Sequence, residues 1–303
     1  MRLATVKLLA GPRACLIAMD GTLVPVAEAV SGAPTDMLGV LDAGTVLWDR
    51  LRAAAATAKG GTALSGATLL APIPRPRRNV LCVGLNYKDH VAESAGAKKL
   101  PPPDPAKVPQ WPALFSKQPA TVVGPEAAIL HSAPSSDHLD WEVELAAVIG
   151  TPGKDIAEER ALSHVFGYTI ANDISVRDIQ MRHGGQWFKG KNFDTHLPLG
   201  PWIVTADELG EPNRGEGRAL RLRVNGVQKQ ESRTGLMIFS IARIVSEVSR
   251  GMALEPGDVI ITGTPSGVGF ARTPPEFLKV GDVVEAEIEG IGVLRNTVAA
   301  AQP

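Results

Sequence analysis

Cysteine is scarce: Cys15 and Cys82 are the only two in 303 residues, and each sits inside an apolar run. That argues against a disulfide framework and for buried thiols in a reducing compartment, so a cytoplasmic location is expected. Charge of one sign is also missing, because 31 basic and 32 acidic residues nearly cancel. Phosphate backbones and anionic bilayers capture proteins through a field that this chain does not generate, so neither nucleic acid nor membrane is expected as a partner. Long apolar runs are absent too. Gly11, Pro12 and Arg13 break the opening stretch before the roughly 7–15 apolar residues of a secretory segment are complete, and no uncharged run nears the roughly 20 that cross a bilayer. Several familiar catalytic patterns are lacking: G-x-S-x-G, H-E-x-x-H, C-x-x-C, and a dinucleotide fingerprint between strand and helix. Chemistry must come from carboxylates, a metal, histidine and lysine.

What is present is a globular composition, 44% hydrophobic, enough to fill a substantial core. β-Branched alternating runs predict strands over 80–83, 141–149, 167–174, 220–227, 259–262 and 282–288. Helical periodicity is clearest over 48–59, 156–164, 177–181 and 238–249. The fold class expected is α+β and strand-rich. The proline-dense run Ala71 to Arg78 predicts a boundary, giving a small β-rich N-terminal module over 1–72 and a main domain over 73–303. A second proline-rich stretch, Leu100 to Pro112, reads as a lid or an irregular excursion inside the main domain.

The strongest local signal is Asp140-Trp141-Glu142-Val143-Glu144-Leu145. Residues two apart in a strand share a face, so Glu142 and Glu144 project together while Trp141, Val143 and Leu145 point the other way. Like charges so placed repel unless a cation bridges them, a proton joins them or water solvates them; an exposed strand face is the plain alternative. Asp173 ends another apolar strand and makes a third carboxylate, although it could equally cap a helix starting at Ile174. Three carboxylates without clustered Cys or His make an oxygen-only site, suited to Mg²⁺, Mn²⁺ or Ca²⁺ over zinc. His90 and Glu93 lie three apart, so in a helical turn the carboxylate can orient the imidazole and raise its basicity; an exposed surface pair would look the same. Lys191, between Gly190 and Asn192, could neutralise a substrate carboxylate or a developing oxyanion. The turn Thr262 to Gly269 lacks the ending of a phosphate loop and better suits presentation of the Thr264 hydroxyl and backbone amides to a carboxylate.

Taken in order, Gly84-Leu85-Asn86-Tyr87…His90…Glu93, Asp140 to Leu145, Asn172-Asp173-Ile174…Arg177…Gln180, Gly190 to Thr195, Gly263-Thr264-Pro265…Gly269 and Gly281 to Val284 with Glu289 to Gly292 resemble the fumarylacetoacetate hydrolase family. The likeness runs over residues 77 to 298, on the side of the acylpyruvases and 2-hydroxyhepta-2,4-diene-1,7-dioate isomerases. It implies a mixed β-roll or β-sandwich catalytic domain, a homodimer or higher homo-oligomer, and Mg²⁺ or Mn²⁺, with Ca²⁺ as a third option, on Glu142, Glu144 and Asp173. It implies His90 and Glu93 as the water-activating pair, Lys191 as a catalytic cation, and Tyr87, Arg177, Gln180 and Thr264 as substrate contacts. The activity expected is hydrolysis of a C–C bond in an acylpyruvate-type 2,4-dioxo acid through a metal-stabilised enolate. The alternatives are oxaloacetate decarboxylation or a catechol-pathway isomerase or hydratase on the same scaffold. A non-catalytic ligand-binding relative would be expected to lose a metal ligand or the base, and none is missing here.

Overall fold

In the computed structural model, which describes residues 1–9, 11–97 and 109–301, the strand Val143–Ile149 is buried along its whole length. It pairs antiparallel with Val165–Asn172 on one side and Val259–Ile261 on the other. Strands covered on both faces read as continuous apolar runs, which is why these segments stand out in the sequence. Outward from this centre, Val165–Asn172 pairs with Leu197–Thr205, and Val259–Ile261 lies parallel to Val80–Gly84, whose free side takes Ala113–Lys117. The result is a twelve-stranded sheet among the described residues.

Alternation along Val143–Ile149 serves two cores. Val143, Leu145, Ala147 and Ile149 enter one apolar cluster, while Ala146 and Val148 enter another. A second sheet of five strands covers the first cluster, with Leu220, Leu222, Val284, Ala286 and Ile288 buried at every second position. The expected α+β, strand-rich roll is the observed architecture.

The first 72 residues supply short strands and the helix Gly44–Ala55, somewhat earlier than the 48–59 expected. Arg2–Leu8 pairs with Leu197–Thr205, and the buried Leu47, Trp48 and Leu51 share the second cluster with Ala146 and Val148, so this segment extends the main sheet. The helix expected over 238–249 spans Ile241–Ser249, because the Ser240 side chain accepts from the Arg243 N–H and fixes the start there. The helix expected over 156–164 is shorter, Glu158–Ala161 followed by a 3₁₀ turn over Leu162–His164. Most of the proline-rich stretch expected as a lid or an irregular excursion lies outside the described residues. No helix among the described residues is long and apolar enough to cross a membrane.

Candidate active site

Antiparallel pairing brings three carboxylates to one place. Glu142 just precedes the strand Val143–Ile149 and Glu144 lies within it, and Trp141, Val143 and Leu145 enter the core on the opposite face, as the alternation predicts. Val143 stands opposite Asn172 in the ladder, so Asp173 emerges beside Glu142, and its N–H donates to the Glu142 carbonyl at 2.9 Å. All three residues are buried, with one oxygen from each inside a 4.8 Å span. Asp173 does not cap a helix: the next one spans Arg177–Arg182, after Ser175–Val176 has paired with Leu139–Asp140.

Three buried cations approach from separate parts of the chain. Lys191 Nζ lies 2.7 Å from Glu142 and 2.6 Å from Asp173. Arg177 lies 2.7 Å from Asp140 through Nε and 2.7 Å from Glu142 through Nη2, and its Nη1 donates to Gln180 at 3.1 Å. Lys117 Nζ lies 2.7 Å from the other oxygen of Asp173 and donates to the Ile174 carbonyl at 3.0 Å. Four buried carboxylates, counting Asp140, thus face three buried cations, an excess of one negative charge when all are ionised.

Burial pushes the Glu144 carboxyl well above the usual carboxylate range, and Asp173 and Glu142 add to the effect. Burial opposes ionisation of Glu142 as well, but Lys191 and Arg177 outweigh it and hold that group low. For Lys191 burial is likewise overcome, by Asp173 and Glu142, so the ammonium is strengthened; for Lys117 burial wins against Asp173 and its value falls. A carboxyl driven by burial and like charge to take up a proton is one that a cation would satisfy. The all-oxygen donor set fits a hard divalent ion, and the excess would become one positive charge, suited to an anionic substrate.

The helix Lys88–Ala97 places His90 and Glu93 on one face, with Nδ1 of His90 2.9 Å from Glu93. Both Glu93 oxygens accept from the Gly267 N–H, at 3.0 and 2.9 Å. Gly267 has φ +101°, and a Cβ there would collide with the Lys229 carbonyl, so glycine is required. The same loop donates from Gly263 to Glu144 at 2.6 Å, and from Gly269 and Phe270 to Asp140 at 2.7 and 3.0 Å. Amides expected to meet a substrate carboxylate are therefore engaged by the protein's own carboxylates. The Thr264 hydroxyl stays in the site.

A small pocket is lined by His90, Glu142, Glu144, Arg177, Gln180, Lys191 and Thr264, with Phe115, Trp187 and Phe270 as apolar walls. The Phe115 ring stands 5.0 Å from Lys191 Nζ, and the Phe270 ring 4.5 Å from the Arg177 guanidinium. Tyr87 departs from expectation: it is fully buried, bridges to Met237 through its backbone and is not among the lining residues. Sequence reasoning gave no part to Lys117, Asp140, Phe115, Trp187 and Phe270. For Asp140 a signal existed, its place in the Asp140-Trp141-Glu142 run; for Lys117 there was none.

Fold and site together define a strand-rich α+β protein with a buried carboxylate triad that could hold a metal ion. The model of the fumarylacetoacetate (FAA) hydrolase C-terminal domain matches residues 79–299. The chain is 44% identical to oxaloacetate tautomerase YisK of Bacillus subtilis, over 78% of this chain and 74% of that protein. It is 46% identical to the human mitochondrial oxaloacetate tautomerase FAHD2A, over 77% and 70%. Among solved structures it resembles the fumarylacetoacetate hydrolase of Exiguobacterium antarcticum, with a TM-score of 0.79 and 38% identity over 99% of this chain and 100% of that one. It also resembles 5-carboxymethyl-2-hydroxymuconate delta-isomerase of Mycobacterium smegmatis, with a TM-score of 0.75 and 35% identity over 100% of both chains. The chain belongs to the fumarylacetoacetate hydrolase family.

Proposed function

We propose that this enzyme moves a proton between carbon and oxygen of a small 2-oxo acid, oxaloacetate first among the candidates, with Mg²⁺ or Mn²⁺ held by Glu142, Glu144 and Asp173. One observation carries the reading: an imidazole oriented by its own carboxylate lines the same pocket as Lys191 and two carboxylates of the buried triad, Glu142 and Glu144. The tautomerase activity of the Bacillus and human relatives supports it.

A bound divalent cation supplies Lewis-acid stabilisation of the negative charge that an enolate carries. The protein's own groups do the rest. With Nδ1 of His90 facing Glu93, Nε2 is the nitrogen that takes a proton from the carbon next to the keto group, and the C–H electron pair passes into the enolate. The same nitrogen returns the proton to the enolate oxygen, and the reverse path regenerates the ketone. Glu93, held by the Gly267 amide, fixes the tautomer and stabilises the imidazolium. Lys191, kept as an ammonium by its carboxylate neighbours against burial, offsets charge on the substrate oxygens. Arg177, Gln180 and Thr264 complete the polar wall.

The test is the keto–enol exchange of oxaloacetate, followed by enol absorbance with Mn²⁺ and with a chelator. Metal-dependent acceleration over buffer is expected; its absence would remove the reading. His90→Ala should slow the exchange by about 10²–10⁴-fold, the usual contribution of a positioned base.

The His90–Glu93 pair also favours a second reading, hydrolysis of an acylpyruvate, because the same base can activate water. Loss of acetylpyruvate absorbance would separate it from pure tautomerisation. Decarboxylation of oxaloacetate needs no base, so its survival in His90→Ala would mark the third chemistry. Assembly as a homo-oligomer belongs to this proposal and is read by light scattering.

A further inference from the structure

We propose that Gln230 is a positioning residue that fixes the Thr264 hydroxyl as a hydrogen-bond donor to substrate oxygen. Gln230 lies on the strand Val227–Arg233 of the five-stranded sheet, is 1% exposed and does not line the pocket. Its Oε1 accepts from the Val143 N–H at 2.9 Å, and its Nε2 donates to the Pro265 carbonyl at 2.9 Å and to Thr264 Oγ1 at 2.8 Å.

A peptide N–H only donates and a carbonyl only accepts, so these two backbone partners determine which end of the amide is nitrogen. Nε2 therefore gives a hydrogen to Thr264 Oγ1, and the single hydroxyl hydrogen of Thr264 must go elsewhere. In this structure it goes to the Val143 carbonyl at 3.0 Å. Thr264 is 2% exposed and lines the pocket, and because Gln230 already donates to Oγ1, the hydroxyl can swing its one hydrogen from the Val143 carbonyl to an arriving oxygen that only accepts, as in a carboxylate or ketone. Gln230 also grips the peptide of Val143, which lies between Glu142 and Glu144. Through one amide the second sheet sets the polarity of the pocket wall.

The inference rests on the 2-oxo acid reading and deepens it. It is tested on the full chain with Mn²⁺ by calorimetric titration of oxalate, a dianion whose oxygens only accept. Gln230→Met removes the amide at similar size, and Thr264→Val removes the hydroxyl. Each should raise the oxalate Kd about tenfold, the loss of one hydrogen bond to a charged group. The double variant should bind no more weakly than Thr264→Val alone, because Gln230 acts through that hydroxyl. Penalties that multiply in the double variant, or an unchanged Kd in Gln230→Met, overturn the proposal. Should Gln230→Met fail to fold, nitrogen NMR of the unaltered protein decides: the Gln230 side-chain amide shifts on oxalate addition if Thr264 turns to the ligand, and a silent amide overturns the proposal. Were the unaltered protein to bind no oxalate, the 2-oxo acid reading would fall and this proposal with it; normal binding with uncoupled variants overturns this proposal alone.

Discussion

Four side chains project to one face from Glu142 to Val148, and they belong to two regions. Glu142 and Glu144 sit in a cluster of carboxylates, lysines and an arginine, whereas Ala146 and Val148, two and four residues further on, lie in an apolar cluster with Trp48 and Leu51. Burial is equally deep in both, 4% and 1% exposed against 0% for each alanine and valine. The solutions are opposite. One half offsets desolvation with ion pairs that add little net stability; the other excludes charge and packs. The N-terminal segment puts its own ion pairs, such as Arg52 with Asp207 and Arg2 with Glu208, at the half-exposed rim. The proposed chemistry thus lies where charge is buried, and cohesion where it is not.

That division can be broken by experiment. In the charged half, Glu142→Ala should reduce oxaloacetate tautomerisation to the uncatalysed background while the protein remains folded by circular dichroism; retained metal-dependent rate would place the catalytic cation elsewhere. In the apolar half, Trp48→Ala removes a ring that packs edge-on against Phe166 at 4.9 Å and donates to the Val40 carbonyl at 2.8 Å. It should lower unfolding free energy by about 3–5 kcal/mol in urea titrations yet leave Mn²⁺ affinity of the folded fraction unchanged.

A smaller effect concerns His196, which is 1% exposed and held through Nε2 to the Leu130 carbonyl at 2.9 Å. Burial depresses its imidazole to about 3 from the ordinary 6.5. Between those values the unfolded chain binds a proton that the folded one refuses, so stability is complete above pH 6.5 and declines as pH falls toward 3. The slope from this group reaches about 1.4 kcal/mol per pH unit, and His196→Gln should flatten the profile by that amount in denaturation series across the window. Smallest of all is Arg52→Ala at the rim. With both acids it pairs to near half exposure or more, it should cost less than about 1 kcal/mol, and a larger loss would contradict the assignment of cohesion to packing.

The sequence disclosed the parts of this arrangement governed by local periodicity. Two-residue alternation put Glu142 and Glu144 on one face, and three-residue helical spacing put Glu93 against His90. What local pattern does not contain is pairing across the fold. The helix after Asp173 begins at Arg177, not Ile174, because Ser175–Val176 is taken up by Leu139–Asp140, and that bridge frees Asp173 for the cluster. Lys117 reaches Asp173 from a sheet-edge strand 56 positions earlier, and Gln230 reaches Val143 across 87 positions, so nothing near either residue marks its part. The N-terminal strands were legible, but their junction with Leu197–Thr205 depends on a partner about two hundred residues away.

The central claim is that the buried triad holds a divalent cation, and Glu144 tests it most directly. Glu144→Gln replaces a carboxyl already pushed toward its neutral form by burial and its acidic neighbours with a neutral isostere of the same shape. Chelator-stripped wild type and Glu144→Gln would be titrated with Mn²⁺ by calorimetry, with melting temperature recorded in parallel. The account predicts near-equal melting temperatures without metal, Mn²⁺ binding and thermal stabilisation in wild type, and affinity weakened at least about a hundredfold in the variant. Equal Mn²⁺ affinity in the two proteins would contradict it.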